Sequence, residues 1–376
     1  MTFHPVPQKH NLLPYELTFE EKDVHSFLLS MPERSELCVV VPAYNEEQVI
    51  SSSLKAMTDI ISKDHIYVVS DGSTDRTVEL ARQHTDNVLE LTQNMGKAAA
   101  LDQLIQANNL ITRYEYILFS DADSRLAPNF LEEIKKYTIH DPACIVGTVA
   151  SDKHGLISAY RTYEYGLSHR VYKQAQSKMR VITVAPGSSS LYRSDVLREL
   201  DFSNHTLTED FDLTLQIYEK NLGRVIYAPK AKVITQDPQS LGDYWKQVMR
   251  WYTGFWQNVL LHKIYKPNKA VNVEIWIIVA DSLSWIVALV LGIQHPVFFG
   301  QVMLVSLIIT EVLSFSILML EKQYWALKYM PMFFLFQLIN IATYILSFFR
   351  AFKFRNSNKA LLWQKVSRYA VSSDVQ

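Results

Sequence analysis

Through the first two thirds of the chain, apolar residues come in short β-rich runs separated by longer mixed stretches. "LCVVV" (37 to 41), "IYVVS" (66 to 70), "NVLEL" (87 to 91), "YILFS" (116 to 120) and "CIVGTVA" (144 to 150) read as strands. Between most of them the spacing turns helical. Val49, Ile50, Leu54, Met57, Ile60 and Ile61 fall on one stripe, and Ala98, Leu101, Leu104, Ile105 and Leu110 on another. Near-continuous apolar strands alternating with such helices predict an α/β fold, a Rossmann-like and mostly parallel sheet covered on both faces. Beyond residue 265 the pattern changes. Apolar runs at about 271 to 293, 297 to 320 and 331 to 349 approach or exceed the roughly 20 residues that cross a bilayer. The chain therefore divides into an N-terminal extension (1–36), an α/β domain (37–265) and a membrane region with two or three transmembrane helices and a basic tail (266–376).

Composition fits this division. A hydrophobic content of 48% is high for a soluble protein of 376 residues, so something besides a core absorbs apolar side chains. The net charge of −1 hides an asymmetry: Lys269 to Gln376 carries nine basic and five acidic groups, +4, which leaves about −5 for the rest. No basic face points to nucleic acid. Cys38 and Cys144 lie in apolar strand-like runs, which predicts buried thiols rather than a disulfide framework. The first 36 residues hold no apolar run behind a basic start, so no signal peptide is expected and the α/β domain is placed in the cytoplasm. Lys263, Lys266 and Lys269 before the first span agree with that side, and "GIQHP" between spans one and two suits an external hairpin. A third full crossing would put the six basic residues after Phe349 outside. Either the segment carrying Pro331, Gln337 and Asn340 is re-entrant or interfacial, or the chain breaks the charge rule. Asp281 and Glu311 inside apolar runs are expected to face one another, a partner or a polar path.

The unusual polar residues sit where ligands of open parallel sheets bind, past the carboxyl ends of strands. Pro42, Tyr44, Asn45 and Glu46 follow the first strand, Asp71 ends the second, and Asp121 and Asp123 end the fourth. Neither GxGxxG nor a P-loop occurs. Asp71 in "SDGSTDRT" reads as a turn with Ser73 or Thr74 capping the next helix, or as an acceptor for a nucleobase or ribose. Asp121 and Asp123, one residue apart at the end of a strongly apolar strand, read as a solvated turn or as hard oxygen ligands for Mg²⁺ or Mn²⁺ beside a diphosphate. In "TLTEDFDLTLQIYEK" Thr208 is a good N-cap with Glu209 and Asp210 in the first turn, or Asp210 is a general base. In "YWKQVMRWYTGFWQNVL" Gln247, Arg250 and Trp251 share one side of a helix, which suits either a membrane-surface helix or a grip on a diphosphate and a sugar ring.

Taken in order, these stretches resemble the family 2 glycosyltransferases, and within them the membrane-bound processive synthases of poly-N-acetylglucosamine, hyaluronan, chitin and cellulose. The resemblance covers about Leu37 to Phe349. It rests on "VPAYNE" (41 to 46), Asp71, the DxD of Asp121 to Asp123, the TED of Thr208 to Asp210 and the QxxRW of Gln247, Arg250 and Trp251. "NMGKAAALD" resembles the family's lysine loop and "APGSSSLYRSDVL" its acceptor-side strand and turn.

The resemblance implies a GT-A fold and inverting transfer from a nucleoside diphosphate sugar, with Mg²⁺ or Mn²⁺ as cofactor. Asp71 would contact the base, Asp121 the ribose or diphosphate with a share in the metal, and Asp123 the metal. Pro42, Tyr44, Glu46 and Lys97 would line the donor side. Asp210, with Glu209 beside it, would deprotonate the acceptor hydroxyl, Arg250 would stabilise the departing diphosphate, and Gln247, Trp251 and Thr208 would lie on the acceptor side. The expected enzyme extends a β-linked polysaccharide from a UDP-sugar, UDP-N-acetylglucosamine or UDP-glucose, as an integral protein of the plasma membrane among its lipids. Two other readings stand beside it: transfer of a single sugar to a lipid acceptor, and a non-catalytic subunit that binds sugar nucleotide. Position 102 is Asp where the family usually has Asn. No span is expected ahead of the catalytic domain, and no FxVTxK-like gating loop is found. Two or three spans are few for a polysaccharide channel, so an accessory membrane subunit or self-association is expected.

Overall fold

The computed structural model describes residues 35–203, 205–264, 270–354 and 367–369. Most of the N-terminal extension, Lys266, Lys269 and the tail's Arg355, Lys359 and Lys365 lie outside the described residues.

Eight strands form one sheet in the order β3-β2-β1-β4-β7-β6-β8-β5. They are β1 (Ser35–Ala43), β2 (Ile66–Asp71), β3 (Val88–Leu91), β4 (Tyr114–Phe119), β5 (Ser124–Leu126), β6 (Cys144–Ser151), β7 (Ser190–Arg193) and β8 (Val225–Thr235). Neighbours β3, β2, β1 and β4 are parallel, as are β6 and β8; β7 runs against β4 and β6, and β5 against β8. The five strands expected from apolar runs are all present, within three residues of their expected ends. The other three, β5, β7 and β8, complete the sheet.

Alternation within β1 shows how two faces are covered. Cys38 and Val40 join Tyr67, Val69, Ile117 and Phe119 in a core with Ala100, Leu101, Leu104 and Ile105 of helix α2 (Lys97–Ala107). Leu37, Val39 and Val41 turn the other way, to Ile50, Leu54 and Met57 of helix α1 (Ile50–Thr58). Each fully buried Val, Leu or Ile contributes about 1.5–3 kcal/mol, so strands apolar on both faces are committed to the sheet's interior. Both cysteines are free and buried. The apolar stripe expected over 97 to 111 is interrupted at Asn109, which takes a left-handed φ of 52° and starts a separate turn at Leu110.

Six further helices matter here. Helix α3 is Gly155–Leu167, α4 is Glu209–Glu219, α5 is Leu241–Leu261, and the apolar C-terminal helices are α6 (Ala270–Gln294), α7 (Pro296–Leu320) and α8 (Phe333–Phe354). Two stretches among the described residues, Pro296–Leu320 and Tyr324–Lys353, are helical, long and apolar enough to cross a membrane. Tyr160, Tyr163, Tyr244 and Val248 from the α/β side share a buried cluster with Ile317, Leu318, Phe333 and Phe336. Polar residues of the third apolar segment have protein partners. The Thr310 hydroxyl donates to Gln337, and Asn340 bonds to Tyr160, Glu164 and Tyr244. A helix can carry such groups through an apolar medium when protein satisfies them. One Glu311 carboxylate oxygen is buried without a hydrogen-bond partner among the described residues, and the Asp281 side chain falls outside them.

Candidate active site

The loops after β1 and β2 are stitched together at the carboxyl end of the sheet. The Asn45 N–H donates to Ser73 Oγ (3.0 Å), Asn45 Oδ1 accepts from the Thr74 N–H (2.7 Å), and the Glu46 N–H donates to Thr77 Oγ1 (2.7 Å). Ser73 and Thr74 therefore do not cap the following helix as expected. Asp75 Oδ1 takes that place, accepting from the Thr77 N–H at 3.0 Å. Pro42 lies in β1 opposite Val69, and Tyr44 is half-buried just beyond the strand.

Asp71, buried at the end of β2, uses both carboxylate oxygens on backbone. Oδ1 accepts from the Met95 N–H (2.6 Å) and Oδ2 from the Gly96 N–H (2.9 Å). Burial raises its pKa against the pull of these two donors. The clamp fixes the turn from which α2 starts, and the first residue of α2 is Lys97.

Lys97 joins two aspartate and glutamate motifs that are far apart in sequence. Its Nζ lies 2.7 Å from Asp121 Oδ1 and 2.8 Å from Glu209 Oε1. The loop preceding β7 gives it room: a Cβ on Gly187 would come within 2.6 Å of Lys97 Nζ. Burial works against the Lys97 ammonium, but the charges of Asp121, Glu209 and Asp210 outweigh it and hold its pKa above the usual lysine range. Burial likewise opposes ionisation of Asp121, and Lys97, with Arg368 and Arg250, overrides it so that Asp121 titrates below the usual range.

Asp210, at the second position of α4, behaves differently. Burial and the neighbouring Glu209 charge push its pKa up to about 6, with Lys97, the Phe211 N–H and Arg250 pulling the other way. Glu209 is paired with Lys97, while Asp210 Oδ1 accepts from the adjacent Phe211 N–H at 2.8 Å. A carboxylate with a pKa near 6 is ionised at neutral pH and still basic enough to take a proton.

Asp123 and Glu46 face a cation from the chain's own tail. Arg368 Nη1 lies 2.5 Å from Asp123 Oδ2, and its Nε 3.0 Å from Glu46 Oε2. Tyr369 anchors this segment: its carbonyl accepts from Gln236 Nε2 (2.6 Å) and its ring stacks on His154 at 4.9 Å.

The remaining predicted residues lie on or against α5. Gly254 allows the approach, since a Cβ there would collide with the Thr208 side chain. Thr208 precedes α4, but its side chain caps no backbone N–H; its Oγ1 accepts from Asn258 Nδ2 at 3.0 Å. Gln247 Oε1 accepts from Arg161 Nη2 (2.7 Å), and the Arg161 guanidinium lies 4.5 Å from the Trp251 ring centre. Arg250 is half-buried, close enough to Asp121 and Asp210 to lower both.

The structure thus brings Lys97, Asp121, Glu209, Asp210 and Arg250 into one electrostatic group, sets Asp123 and Glu46 beside it through Arg368, and holds Gln247 and Trp251 on one buried arginine. Reading the sequence alone missed Arg161, Asn258 and Arg368. The signal for Arg161 was a lone arginine between tyrosines in "AYRTYEY"; Arg368 was counted only as tail charge. Among the described residues no group of three or more His, Cys, Asp or Glu side chains could hold a metal alone. One or two carboxylates completed by phosphate oxygens is the arrangement a hard divalent cation accepts, and a guanidinium standing between Asp123 and Glu46 shows that this pair attracts a cation.

Residues 33–254 match the model of the family described as glycosyltransferase like family 2. The poly-beta-1,6-N-acetyl-D-glucosamine synthase of Staphylococcus epidermidis is 24% identical over 287 residues, covering 72% of this chain and 68% of that one. The synthase of the same name from Staphylococcus aureus is 26% identical over 283 residues, covering 70% and 66%. The chain thus spans about two thirds of the length of these relatives. A mannosyltransferase from Pyrobaculum calidifontis, solved with GDP-Man and Mn²⁺, superposes with a TM-score of 0.53 over 86% of this chain and 92% of its own at 18% identity, which supports the GT-A fold. With a family model matching more than half of its length, over the domain that carries every one of these motifs, the chain belongs to the family 2 glycosyltransferases.

Proposed function

We propose that this glycosyltransferase is a metal-dependent, inverting membrane enzyme that adds sugars from a UDP-sugar to a growing β-linked polysaccharide. N-acetylglucosamine is favoured as the sugar because the relatives above are named for its polymer. In this reading residues 37–265 form the catalytic domain on the cytoplasmic side of the plasma membrane, and 266–376 the membrane region. The observation that carries it is the contrast between Asp210, raised to about 6, and the lysine-bound Asp121 and Glu209 beside it.

The acceptor hydroxyl attacks the anomeric carbon on the face opposite the nucleotide. Its proton passes to Asp210, the new glycosidic bond forms, and the bond to the diphosphate breaks with its electron pair leaving on UDP. Inversion follows from this in-line geometry, and a base ionised at neutral pH but not strongly acidic suits it. Lys97 and Arg250 supply positive charge as the diphosphate departs. Pro42, Tyr44 and Glu46 line the donor side, and Asp71 contributes by fixing the turn that delivers Lys97. A divalent cation held by Asp123, with a share from Asp121, would neutralise the leaving diphosphate when bound. Gln247 and Trp251 offer an amide and a flat indole to the acceptor sugar, with Thr208 at the same edge.

Incubating membranes that contain the full chain with radiolabelled UDP-N-acetylglucosamine tests this. A ladder of products that grows with time is expected. A single organic-extractable species would instead mean transfer to a lipid, and UDP release without any sugar product would remove the transferase reading.

A further inference from the structure

Behind the proposed acceptor side lies a buried polar chain that no motif of the sequence announces. Arg161 of α3 is 3% exposed and sits between two rings of α5, 4.6 Å from the Tyr244 centre and 4.5 Å from that of Trp251. Its two terminal nitrogens are both used: Nη2 donates to Gln247 Oε1 at 2.7 Å, and Nη1 to Glu164 Oε2 at 2.6 Å. The other oxygen of Glu164 accepts from Asn340 Nδ2 of α8 at 2.8 Å. Asn340 Oδ1 in turn accepts from the Tyr244 hydroxyl at 2.7 Å, and its Nδ2 also reaches Tyr160 Oη at 3.1 Å. Asn340 therefore touches both ends of the arrangement, the carboxylate that holds Arg161 and the ring that Arg161 stacks on.

From this geometry we infer that Arg161, with Glu164 and Asn340 behind it, is a positioning residue for the acceptor sugar, and that apolar helix α8 is part of the acceptor subsite. The inference rests on the functional reading above. An amide whose carbonyl is bound by a guanidinium presents its NH₂ in one fixed sense, so Arg161 decides which way Gln247 points. A planar cation against an indole face fixes the ring's tilt, and a second ring on the far side keeps the cation from sliding out. Glu164 balances the charge, which a buried guanidinium requires. Asn340 then makes the whole arrangement sensitive to where α8 stands. Any shift of that helix would be felt at Trp251 and Gln247 before it reached the charged group of Lys97, Asp121, Glu209 and Asp210.

Two variants test this in full-length protein in membranes: Arg161→Lys, which keeps the charge but loses the planar double contact, and Asn340→Leu, remote from the reacting atoms. The readouts are UDP release from UDP-N-acetylglucosamine alone, and transfer to a β-1,6-linked N-acetylglucosamine pentasaccharide. Both variants are expected to raise the KM for the pentasaccharide about tenfold, in keeping with the cost of small misplacements of a bound reactant. The KM for the donor and the acceptor-free UDP release should stay within about twofold, since the donor side is untouched. Unchanged acceptor KM in both variants, or donor and acceptor constants changing together, would overturn the inference alone. A wild type that transfers nothing to the pentasaccharide or to endogenous primer would remove the functional reading, and this inference with it.

Discussion

The carboxylate cluster at the ends of the parallel strands and the aromatic junction between α5 and α8 are two halves of one proposed site, built on opposite principles. The first gathers charge. Lys97, Asp121, Glu209, Asp210 and Arg250 come from four separate segments and act on one another through space. The second gathers rings: Tyr160 stacks on Phe336 at 4.7 Å, Tyr244 packs edge-on against Phe336 at 5.1 Å, and one arginine threads between Tyr244 and Trp251. Charge sets protonation states, so in the proposed mechanism the first region governs the chemical step. Packing sets orientation, so in the same mechanism the second holds the acceptor.

Asp210→Asn should have the largest effect. Losing the general base is expected to lower turnover by about 10²–10⁴-fold, with UDP-sugar binding retained, measured as UDP release alongside nucleotide binding by calorimetry. Lys97→Met should come next. It leaves the neighbouring carboxylates without their ammonium, so donor KM should rise and turnover fall about 100-fold, as for loss of one preorganised charge-stabilising group. The pH profile sharpens the same point. Asp210 must be ionised to accept a proton, so the wild-type rate should fall as pH drops through about 6. Because Lys97 lowers that pKa, residual Lys97→Met activity should fall away at a higher pH.

Gly254→Ala tests the contact between the halves. A Cβ at 254 meets Thr208 at the start of α4, so about 1–3 kcal/mol of destabilisation is expected in thermal or denaturant unfolding, together with loss of activity. The smallest effect should come from Arg368→Gln. Removing the guanidinium takes a competing cation away from Asp123 and Glu46, so nucleotide-free Mn²⁺ binding, read by electron paramagnetic resonance, should tighten several-fold. Unchanged Mn²⁺ affinity would mean that the tail does not compete for these carboxylates.

The difference between the regions also explains what the sequence made legible. Short motifs at strand ends are local: Asp121 and Asp123 follow an apolar run, and the run marks the strand that places them. The same holds for Asp71 after β2 and for the helix that carries Gln247, Arg250 and Trp251. What could not be read is pairing at long range. Lys97 meets Glu209 across 112 positions, and Asn340 meets Glu164 across 176, and no periodicity encodes either contact. Asp71 shows a subtler limit. Its position at the end of a buried strand was evident, but its carboxylate holds the Met95 and Gly96 N–H groups, a role that depends on how a loop 24 residues later folds back. Of the strands that apolar runs did not mark, β7 lies inside the family-like stretch 185 to 197, whereas β5 and β8 escaped notice: β5 has three residues, and β8 exposes Lys230 and Lys232, which dilute its apolar pattern.

The most direct test of the central claim is UDP release from membranes containing wild type or Asp210→Asn, across a panel of UDP-sugars, with Mg²⁺ or Mn²⁺ and with EDTA. With UDP-N-acetylglucosamine, release should depend on the divalent ion and be lost in the variant. Release that persists in EDTA, or that Asp210→Asn leaves at the wild-type rate, would contradict that claim.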